Sequence, residues 1–403
     1  MRDSIGVAVI GAGMAGKAHM AAWRNAPSLF APTLPSVRLV SVGDVDEALA
    51  ADAAARFGYT RHDTDWRAIA AADDIDVVSV VVANRLHREI VEGLLAAGKH
   101  VLCEKPLADS LEDARAMADA AARAAERGIV ARVGFTYRRA PGLAAIRQLV
   151  EDGTLGRVLH VSGRYWADYG SSPDVPHSWR FAGAPGTGAL ADVGSHLTYV
   201  AEFLAGRVQS VGGGVFSTSI TSRPVAAGNA LRGQAARLTG ESATVENDDS
   251  AVFTARFGDG SVIGSLDVSR VATSHPNGLV VEVLCEHGAA RWDQERASEI
   301  GLALRADGSR LGGYRQVVLG PDHPYVAGGM AMDAPGVGWG QNQMFEYQAR
   351  AFLDEVSGAT DPLPANATFD DGVHNMEVLD AVARSATAGG ASVLVATTEG
   401  ATA

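Results

Sequence analysis

The sequence predicts an α/β protein whose N-terminal part forms a parallel sheet covered by helices and whose C-terminal part forms a mixed or antiparallel sheet. Up to about residue 137, apolar runs alternate with alanine-rich stretches of helical spacing. After about residue 152, β-rich runs are joined by tight turns that contain glycine instead of by helices. The length of 403 residues exceeds what one ordinary core accommodates, so we expect two domains.

Composition limits the partners of the chain. Hydrophobic residues make up 47% and charged residues 20% of the sequence, which is typical of a globular protein. The net charge of −13 disfavours nucleic acid and anionic membrane surfaces as partners. No apolar run reaches the roughly 18 residues that a membrane span needs, and no signal-peptide pattern is present, so we expect a cytoplasmic protein. Cys103 and Cys285 lie in apolar runs and are expected to be buried thiols, and we expect no metal site.

The N-terminal pattern predicts strands that are apolar almost throughout, as a parallel sheet with both faces covered requires. The predicted strands are 5–10, 37–44, 75–83, 100–104 and 129–137. The helices predicted between them are 14–26, 46–57, 86–97 and 109–127. This alternation is typical of a doubly wound, Rossmann-type dinucleotide-binding domain, to which we assign residues 1–139.

The C-terminal domain is expected to span residues 140–390 and to be rich in hairpins. Hairpin turns are predicted at Phe257–Gly260, Glu286–Gly288 and Ala306–Gly308. Helices are predicted at 141–152, 343–356 and 370–388. Two stretches, 219–247 and 319–342, are long and irregular, which is common in functional loops. Residues 391–403 are expected to form an unanchored tail.

A glycine-rich turn, Gly11–Gly16, follows the first strand and opens the first helix, which is the context that dinucleotide binding requires. Gly11 permits the tight turn, Gly13 leaves room for a pyrophosphate, and Gly16 lets the helix pack on the strand. The helix start adds amide donors and a positive dipole for the phosphates. A tight turn without a ligand is the alternative reading of this motif taken alone.

Asp44 ends the second strand, where a carboxylate can accept hydrogen bonds from the hydroxyls of an adenosine ribose. Its distance from the glycines exceeds the usual spacing of about 20 residues, and we interpret residues 27–35 as an insertion that explains the excess. The carboxylates of Asp44 and Asp46 would repel a 2′-phosphate, so the pattern favours NAD over NADP. The alternative is a solvated aspartate at a strand end.

The triplet Glu104-Lys105-Pro106 ends the fourth apolar run, at the carboxyl edge where open α/β sheets bind their ligands. Lys105 is therefore expected to reach the nicotinamide region. Proline restricts the chain just after it, and the Lys105–Pro106 peptide bond is one of the few that can be cis. The alternative is a surface lysine before a turn.

A second polar cluster lies in a glycine-rich loop that leads into a predicted helix. The spacing i, i+3, i+4, i+7 puts four polar residues on one helix face: Asp192, Ser195, His196 and Tyr199. Asp192 and His196, one turn apart, could act as an orienting carboxylate and a general base, since an ordinary imidazole pKa of about 6.5 suits proton transfer near neutral pH. The alternative is a structural histidine.

Together these motifs resemble the Gfo/Idh/MocA oxidoreductases over nearly the whole chain. The segments that carry the resemblance are Gly11–Gly16, Ala83–His87, Glu104–Pro106, Phe135–Arg139 and the Asp192-x-Gly-x-His196 pattern. The resemblance implies a C-terminal α/β domain with a large, mostly antiparallel open sheet that forms homo-oligomers, often tetramers. It also implies that Lys105, Asp192 and His196 form the catalytic set.

The motifs further suggest which residues contact NAD and substrate. Beyond the glycines, Asp44 and Lys105, the expected cofactor contacts are Met14, Ala15, Ala83, Asn84, His87 and Glu104. A hydroxyl-rich substrate needs polar groups and flat apolar surfaces. The expected substrate contacts are Lys105, Tyr137, Trp166, Asp168, Trp179, Arg180, Asp192, His196 and Gln341. Aromatic residues in such runs are more often core residues, and that is the alternative here.

The expected activity is NAD-dependent oxidation of a secondary hydroxyl of a sugar or cyclic polyol, such as the C3 hydroxyl of levoglucosan or a hydroxyl of inositol. Likeness to family members with this activity extends to Ser178–Phe181, Gly320–Tyr325 and Gly336–Gly340. Arg85 and Tyr199 depart from the residues that many members carry, so the resemblance does not identify the substrate. The alternatives are a reductase of a keto-sugar, inosose or imine, and a non-catalytic NAD-binding regulator.

Overall fold

The computed structural model describes residues 4–30, 34–228, 237–305, 312–359 and 362–395. The chain divides into two compact units. Unit 1 contains Met1–Pro141 and Leu319–Val373, and unit 2 contains Gly142–Val318 and His374–Ala403. This division differs from the predicted one, because residues 319–373 join the N-terminal unit. The cause is a helix, Gln341–Ser357, that packs along the first helix, with the Phe352 and Trp23 rings 5.9 Å apart.

Unit 1 contains a parallel sheet with helices between its strands. Its described strands are β1 (Ser4–Ile10), β2 (Ser36–Gly43), β3 (Arg61–Asp63), β4 (Val77–Val80), β5 (His100–Cys103) and β6 (Ala131–Val133). Its described helices are α1 (Met14–Leu29), α2 (Glu47–Phe57), α3 (Trp66–Ala71), α4 (His87–Ala96), α5 (Leu111–Ala125) and α8 (Gln341–Ser357). The strand order is β3-β2-β1-β4-β5-β6, which confirms the predicted doubly wound fold. The order reverses between β1 and β4, where such sheets bind nucleotides.

Three local features of unit 1 differ from the predictions. The strand β3 and the helix α3 were not predicted, because three and six residues are too few for a hydrophobic period to show. Part of the predicted insertion 27–35 is helical, since α1 continues through Pro27 to Leu29. Residues 31–33 of that segment lie outside the described residues.

Unit 2 is built around a large sheet. Its helices are α6 (Pro141–Glu151), α7 (Ser195–Ala205) and the greater part of α9 (Phe369–Thr387), which begins in unit 1. Its described strands are β7 (Val158–Ala167), β8 (Val208–Ser217), β9 (Ser222–Ala226), β10 (Leu238–Thr244), β11 (Ser250–Phe257), β12 (Val262–Ser269), β13 (Asn277–Cys285), β14 (Gly288–Asp293), β15 (Glu299–Leu304), β16 (Arg315–Val318) and β17 (Val393–Leu394). The described part of the sheet has the order β16-β15-β14-β13-β7-β12-β11-β8-β17. Its pairs are antiparallel except β7 with β12, which confirms the predicted mostly antiparallel sheet.

The two faces of this sheet differ in character. Along β7, Val161 and Tyr165 are buried, whereas Ser162 and Arg164 are exposed. The buried face packs against α7, so closely that a Cβ on Gly163 would lie 2.8 Å from the side chain of Leu197. Because side chains alternate along a strand, the even-numbered residues from 162 to 166 face away from α7.

The chain connections confirm some predictions and correct others. The turns Phe257–Gly260 and Glu286–Gly288 join β11 to β12 and β13 to β14, whereas Ala306–Gly308 lies outside the described residues. The stretch 219–247, predicted as irregular, contains the antiparallel pair β9 and β10. The tail is anchored, since β17 pairs with β8 through Val393 and Val211, while residues 396–403 are not described.

Two further expectations concern side chains and membranes. Cys103 and Cys285 are buried free thiols, as predicted. Burial raises the pKa of the Cys285 thiol to about 11. Across the described ranges, no helix combines the length and the apolar character that crossing a membrane would require.

Candidate functional site

The glycine-rich turn of unit 1 has a geometry that suits the roles predicted for its glycines. Gly11 has a φ of +106°, and a Cβ there would lie 2.0 Å from the carbonyl oxygen of Val81. At Gly16, a Cβ would lie 1.8 Å from the carbonyl oxygen of Gly11. A Cβ on Gly13, just before α1, would meet no described atom within 4 Å. Backbone contact therefore requires glycine at positions 11 and 16, whereas Gly13 borders open space at a helix start, where a pyrophosphate fits.

The residues around this turn suit the adenosine and phosphate groups of NAD. Met14 and Ala15 begin α1, and Met14 is exposed. Asp44 follows β2, and its Oδ2 accepts a hydrogen bond of 2.8 Å from the amide of Ala12. Its Oδ1 accepts from the amide of Asp46 at 3.1 Å. Since a carboxylate can accept about four hydrogen bonds, Asp44 can fix the turn and still accept from a ribose hydroxyl.

The segment after β4 carries three predicted cofactor contacts. Ala83 and Asn84 are half-buried in the turn between β4 and α4. The His87 ring is buried, and its nitrogens lie 3.1 Å from the carbonyl oxygens of Val82 and Leu107. Burial lowers the pKa of His87, which favours the neutral ring. The His87 ring therefore contacts the carbonyl oxygens of two loops at the sheet edge, and its contact with NAD stays a prediction.

Glu104 supports the backbone around Lys105, and its contact with NAD stays a prediction. Its carboxylate is buried, with Oε1 3.1 Å from Nε2 of His19 and Oε2 accepting the Lys105 amide at 3.2 Å. Nδ1 of His19 lies 3.1 Å from Oγ of Ser79, which accepts a hydrogen bond from the Trp23 indole at 2.9 Å. This buried chain of hydrogen bonds reaches from α1 to β5 and fixes the backbone from which Lys105 projects.

Three of the predicted substrate contacts belong to unit 1. Lys105 is half-buried, and its peptide bond to Pro106 is cis, as the sequence allowed. The Tyr137 side chain is buried in a short 3-10 turn, which corresponds to the core alternative for aromatic residues. Gln341 is half-buried at the start of α8.

In unit 2, Asp192 and His196 lie where the chain enters α7. A π-helical turn, Leu190–Gly194, carries Asp192 and continues directly into the helix. Both side chains are half-buried. Oδ2 of Asp192 accepts a hydrogen bond of 2.5 Å from the hydroxyl of Tyr169, and the His196 ring lies 6.0 Å from that of Tyr165.

The other two residues of the predicted polar face are buried. Ser195 and Tyr199 are almost fully covered by protein. The buried amide of Asn375, on α9, donates to the carbonyl oxygen of Ser195 at 3.1 Å and to the hydroxyl of Thr198 at 2.8 Å. Of the four residues on the predicted polar face, Asp192 and His196 are therefore partly accessible to solvent, whereas Ser195 and Tyr199 lie in the packing around the helix.

The loop before the π-helical turn is held by a buried carboxylate. Asp248 is 1% exposed and accepts hydrogen bonds from the amides of Gly186 at 2.7 Å, Gly188 at 3.0 Å and Leu190 at 2.8 Å. A Cβ on Gly188 would lie 2.1 Å from the Asp248 carbonyl oxygen. Asp248 thus holds the loop that leads into the turn that carries Asp192, and the close approach at position 188 requires glycine.

A buried ion pair supports the same region. The guanidinium of Arg270 lies 2.8 Å from the carboxylate of Asp249, and both side chains are inaccessible to solvent. Arg270 also donates to Oδ1 of Asn247 at 2.9 Å and to the carbonyl oxygen of Arg180 at 2.7 Å. The Asn247 amide donates to the carbonyl oxygens of Arg180 and Ala182. These bonds satisfy the buried charges, which a buried ion pair requires.

The remaining predicted substrate contacts of unit 2 do not all lie together. Trp166 is on the face of β7 that points away from α7, beneath the guanidinium of Arg164 at 4.5 Å. Strand alternation thus separates Trp166 from the side chains that face α7, and its contact with substrate stays a prediction. Asp168 follows β7 and is half-buried. Trp179 is 51% exposed, and the Arg180 guanidinium stacks 4.4 Å from its ring.

Several supporting residues were missed by the sequence reading. The residues in unit 2 are Tyr169, Arg223, Asn247, Asp248, Asp249, Arg270 and Asn375, and those in unit 1 are His19 and Ser79. One signal was available in the sequence. The polar run Asn247–Asp249 immediately precedes the alternating strand β11, and carboxylates are rarely buried at such a position unless they are paired. The long-range partners of the other residues leave no local pattern.

Comparisons with known proteins agree with this geometry. Residues 5–133 match the model described as "Oxidoreductase family, NAD-binding Rossmann fold". Residues 143–291 match the GFO/IDH/MocA C-terminal domain. Levoglucosan dehydrogenase from Pseudarthrobacter phenanthrenivorans is 36% identical over 388 residues, which cover 95% of this chain and 96% of that protein.

Further relatives differ in how much of the chain they match. A solved structure of levoglucosan dehydrogenase in complex with NADH and levoglucosan has a TM-score of 0.86 and 33% identity, covering 98% of this chain and 100% of that one. Inositol 2-dehydrogenase from Salmonella typhimurium is 27% identical over 159 residues, which cover 39% of this chain and 45% of that protein. The Rossmann-domain match confirms the expected cofactor, NAD. The chain therefore belongs to the Gfo/Idh/MocA family of NAD-binding oxidoreductases.

Proposed function

We propose that this enzyme is an NAD-dependent dehydrogenase that oxidises a secondary hydroxyl of a sugar or cyclic polyol, with a levoglucosan-like pyranose, at C3, as the first candidate substrate. The observation that carries the proposal is the likeness to levoglucosan dehydrogenase over 95% of the chain, in a sequence that has Lys105, Asp192 and His196. A regulator without catalytic activity would have no use for this set of acid–base groups.

The proposed mechanism assigns one task to each side chain. His196 accepts the proton of the substrate hydroxyl, and the Lys105 ammonium stabilises the alkoxide that develops as the proton leaves. Asp192 orients these groups, and its own carboxylate is held by Tyr169. Gly11–Gly16 and Asp44 would hold NAD, which would accept the hydride that leaves the carbinol carbon as the alkoxide becomes a carbonyl group. The protein thus contributes positioning, charge stabilisation and proton transfer.

The test is a screen of NAD reduction with levoglucosan, myo-inositol, scyllo-inositol, glucose and common glycosides. The wild-type enzyme is expected to oxidise at least one of these polyols. Lys105→Ala and His196→Ala should each lose at least about 100-fold in kcat, since general acid–base groups contribute about that much or more. The Kd for NADH, measured by fluorescence, should stay unchanged in His196→Ala. His287→Ala, in the exposed turn between β13 and β14, is the matched histidine control.

The outcomes separate the candidate functions. Near-normal kcat in either alanine variant would exclude the assigned roles. NADH binding without oxidation of any polyol would favour the regulator, and faster reduction of keto-sugars by NADH would favour a reductase. The same assays therefore decide the class of activity and its preferred direction.

We also infer that the enzyme forms a homo-oligomer through the face of the large sheet that points away from α7. Apolar side chains on this sheet are unusually exposed, with Val252 at 50%, Ile263 at 47% and Leu284 at 43%. Light scattering coupled to size exclusion should give a multiple of the 41.8 kDa chain mass. Ile263→Lys should shift the enzyme towards monomer, and a monomeric wild type would exclude this interface.

A further inference from the structure

Tyr169 contacts the carboxylate of Asp192, and neither the sequence motifs nor the family patterns described above include this tyrosine. We propose that Tyr169 is a positioning residue, which holds the Asp192 carboxylate in its working orientation through the phenolic hydroxyl. The 2.5 Å distance from the hydroxyl to Oδ2 is that of a strong hydrogen bond to a charged acceptor. The inference rests on the proposed function, since it assigns a role relative to Asp192.

The loop that carries Tyr169 is held by a buried guanidinium. Arg223 is 1% exposed and donates to the carbonyl oxygens of Gly170 at 2.5 Å and Ser172 at 2.9 Å. The amide of Gly170 in turn donates to the carbonyl oxygen of Arg270 at 2.8 Å. The backbone on both sides of Gly170 is therefore bound to β9 and to the segment after β12. These bonds restrain the loop that carries Tyr169.

The segment that carries Asp192 is held independently. The Asp248 carboxylate fixes the amides of Gly186, Gly188 and Leu190, as described above. The amide of Asp192 itself donates to the carbonyl oxygen of Gly188 at 3.0 Å. Buried side chains thus fix both backbones, and the Tyr169–Asp192 bond joins one fixed segment to the other.

This arrangement gives the phenol a task that packing alone does not require. An aspartate side chain rotates about two bonds, and fixing its backbone leaves those rotations open. The Tyr169 hydroxyl selects a rotamer in which Oδ2 of Asp192 faces the segment that follows β7. Reaction rates depend steeply on the orientation of such groups, so removal of one hydroxyl should slow turnover more than it destabilises the fold.

The test compares two variants that each remove one phenolic hydroxyl from a carboxylate. In Tyr169→Phe the lost partner is Asp192, and in the control, Tyr314→Phe, the lost partner is Glu282 on the outer sheet face. We expect Tyr169→Phe to lower kcat about 10- to 100-fold while KM changes less than about threefold. The Tm and the Kd for NADH should match those of the control. A kcat equal to that of Tyr314→Phe would overturn the proposal.

A double variant tests whether Tyr169 acts through Asp192. If it does, Tyr169→Phe combined with Asp192→Asn should be no slower than Asp192→Asn alone. If kcat of the double variant falls by the product of the two single-variant losses, Tyr169 acts independently of Asp192 and the proposal is wrong.

A structural measurement keeps the proposal testable if the enzyme oxidises no polyol. We then expect the crystal structure of Tyr169→Phe to show the Asp192 carboxylate rotated relative to its orientation in the wild type. The backbones of both segments should superpose on those of the wild type within about 0.5 Å. An unchanged carboxylate would overturn the role of Tyr169. The absence of polyol oxidation would by itself overturn only the proposed function.

Discussion

The glycine-rich turn of unit 1 and the Asp192–His196 cluster of unit 2 are built in different ways. In unit 1, the backbone itself forms the candidate NAD site, because Gly11 and Gly16 approach other backbone atoms too closely for any side chain. In unit 2, side chains distant in sequence hold the reactive groups, as Asp248 does for the loop at Gly188. The first site depends on where side chains are missing, and the second depends on buried charges that must be paired.

This difference determines how each site should fail. At these glycine positions, an added side chain overlaps the ligand or the nearest backbone, so the damage stays local. A buried charge fails through unsatisfied hydrogen bonds, which costs stability across the region that the charge connects. Variants of the buried charges in unit 2 should therefore lose stability together with turnover, whereas a well-chosen variant in unit 1 should lose NAD alone.

The largest effect is expected at Asp248. Asp248→Ala leaves the buried amides of Gly186, Gly188 and Leu190 without their acceptor, and we expect a loss of about 3–5 kcal/mol in the free energy of unfolding. Urea unfolding measures it. The control is Asp259→Ala, in the exposed turn between β11 and β12, which should leave the midpoint unchanged. Equal urea midpoints in Asp248→Ala and Asp259→Ala would contradict the view that the unit 2 site depends on paired buried charges.

An intermediate effect is expected at Gly13. A Cβ there meets no described atom, so Gly13→Ala should leave the Tm unchanged. The methyl group occupies the space of the pyrophosphate, and we expect the Kd for NADH to rise about tenfold, which corresponds to about 1.4 kcal/mol. Gly16→Ala is the contrasting variant, because its Cβ would overlap the Gly11 carbonyl and lower the Tm. Fluorescence titration and thermal unfolding of both variants test the comparison, and an unchanged Kd in Gly13→Ala would contradict it.

The smallest effect is expected at Trp166. Its ring lies on the face of β7 away from α7, so Trp166→Phe should change kcat and the polyol KM less than about twofold. Steady-state kinetics on the best polyol of the screen measures both constants. A KM increase of tenfold or more would restore the original prediction that Trp166 contacts substrate.

The two sites also differ in how much of them the sequence could predict. Gly11–Gly16 is a contiguous motif whose spacing reports backbone geometry directly, and Lys105 follows a strand that is apolar almost throughout. Asp192 and His196 were accessible because helical spacing relates them. Tyr169 and Asp248 were not, since their partners lie 23 and about 60 residues away and no periodicity connects them. The contacts of the His87 ring with the carbonyl oxygens of Val82 and Leu107 were likewise inaccessible, because a motif shows which residue is present and not which way its ring faces.

Strand β7 alternates residues that face α7 with residues of the outer surface of unit 2. Tyr165 faces α7 and Arg164 faces away, so neighbouring codons in the gene encode parts with separate tasks. Evolution can therefore alter the outer face, and with it solubility or association, without changing the residues that support catalysis. The same alternation makes a one-residue insertion in β7 far more damaging than any single substitution, because it would exchange the two sets of side chains.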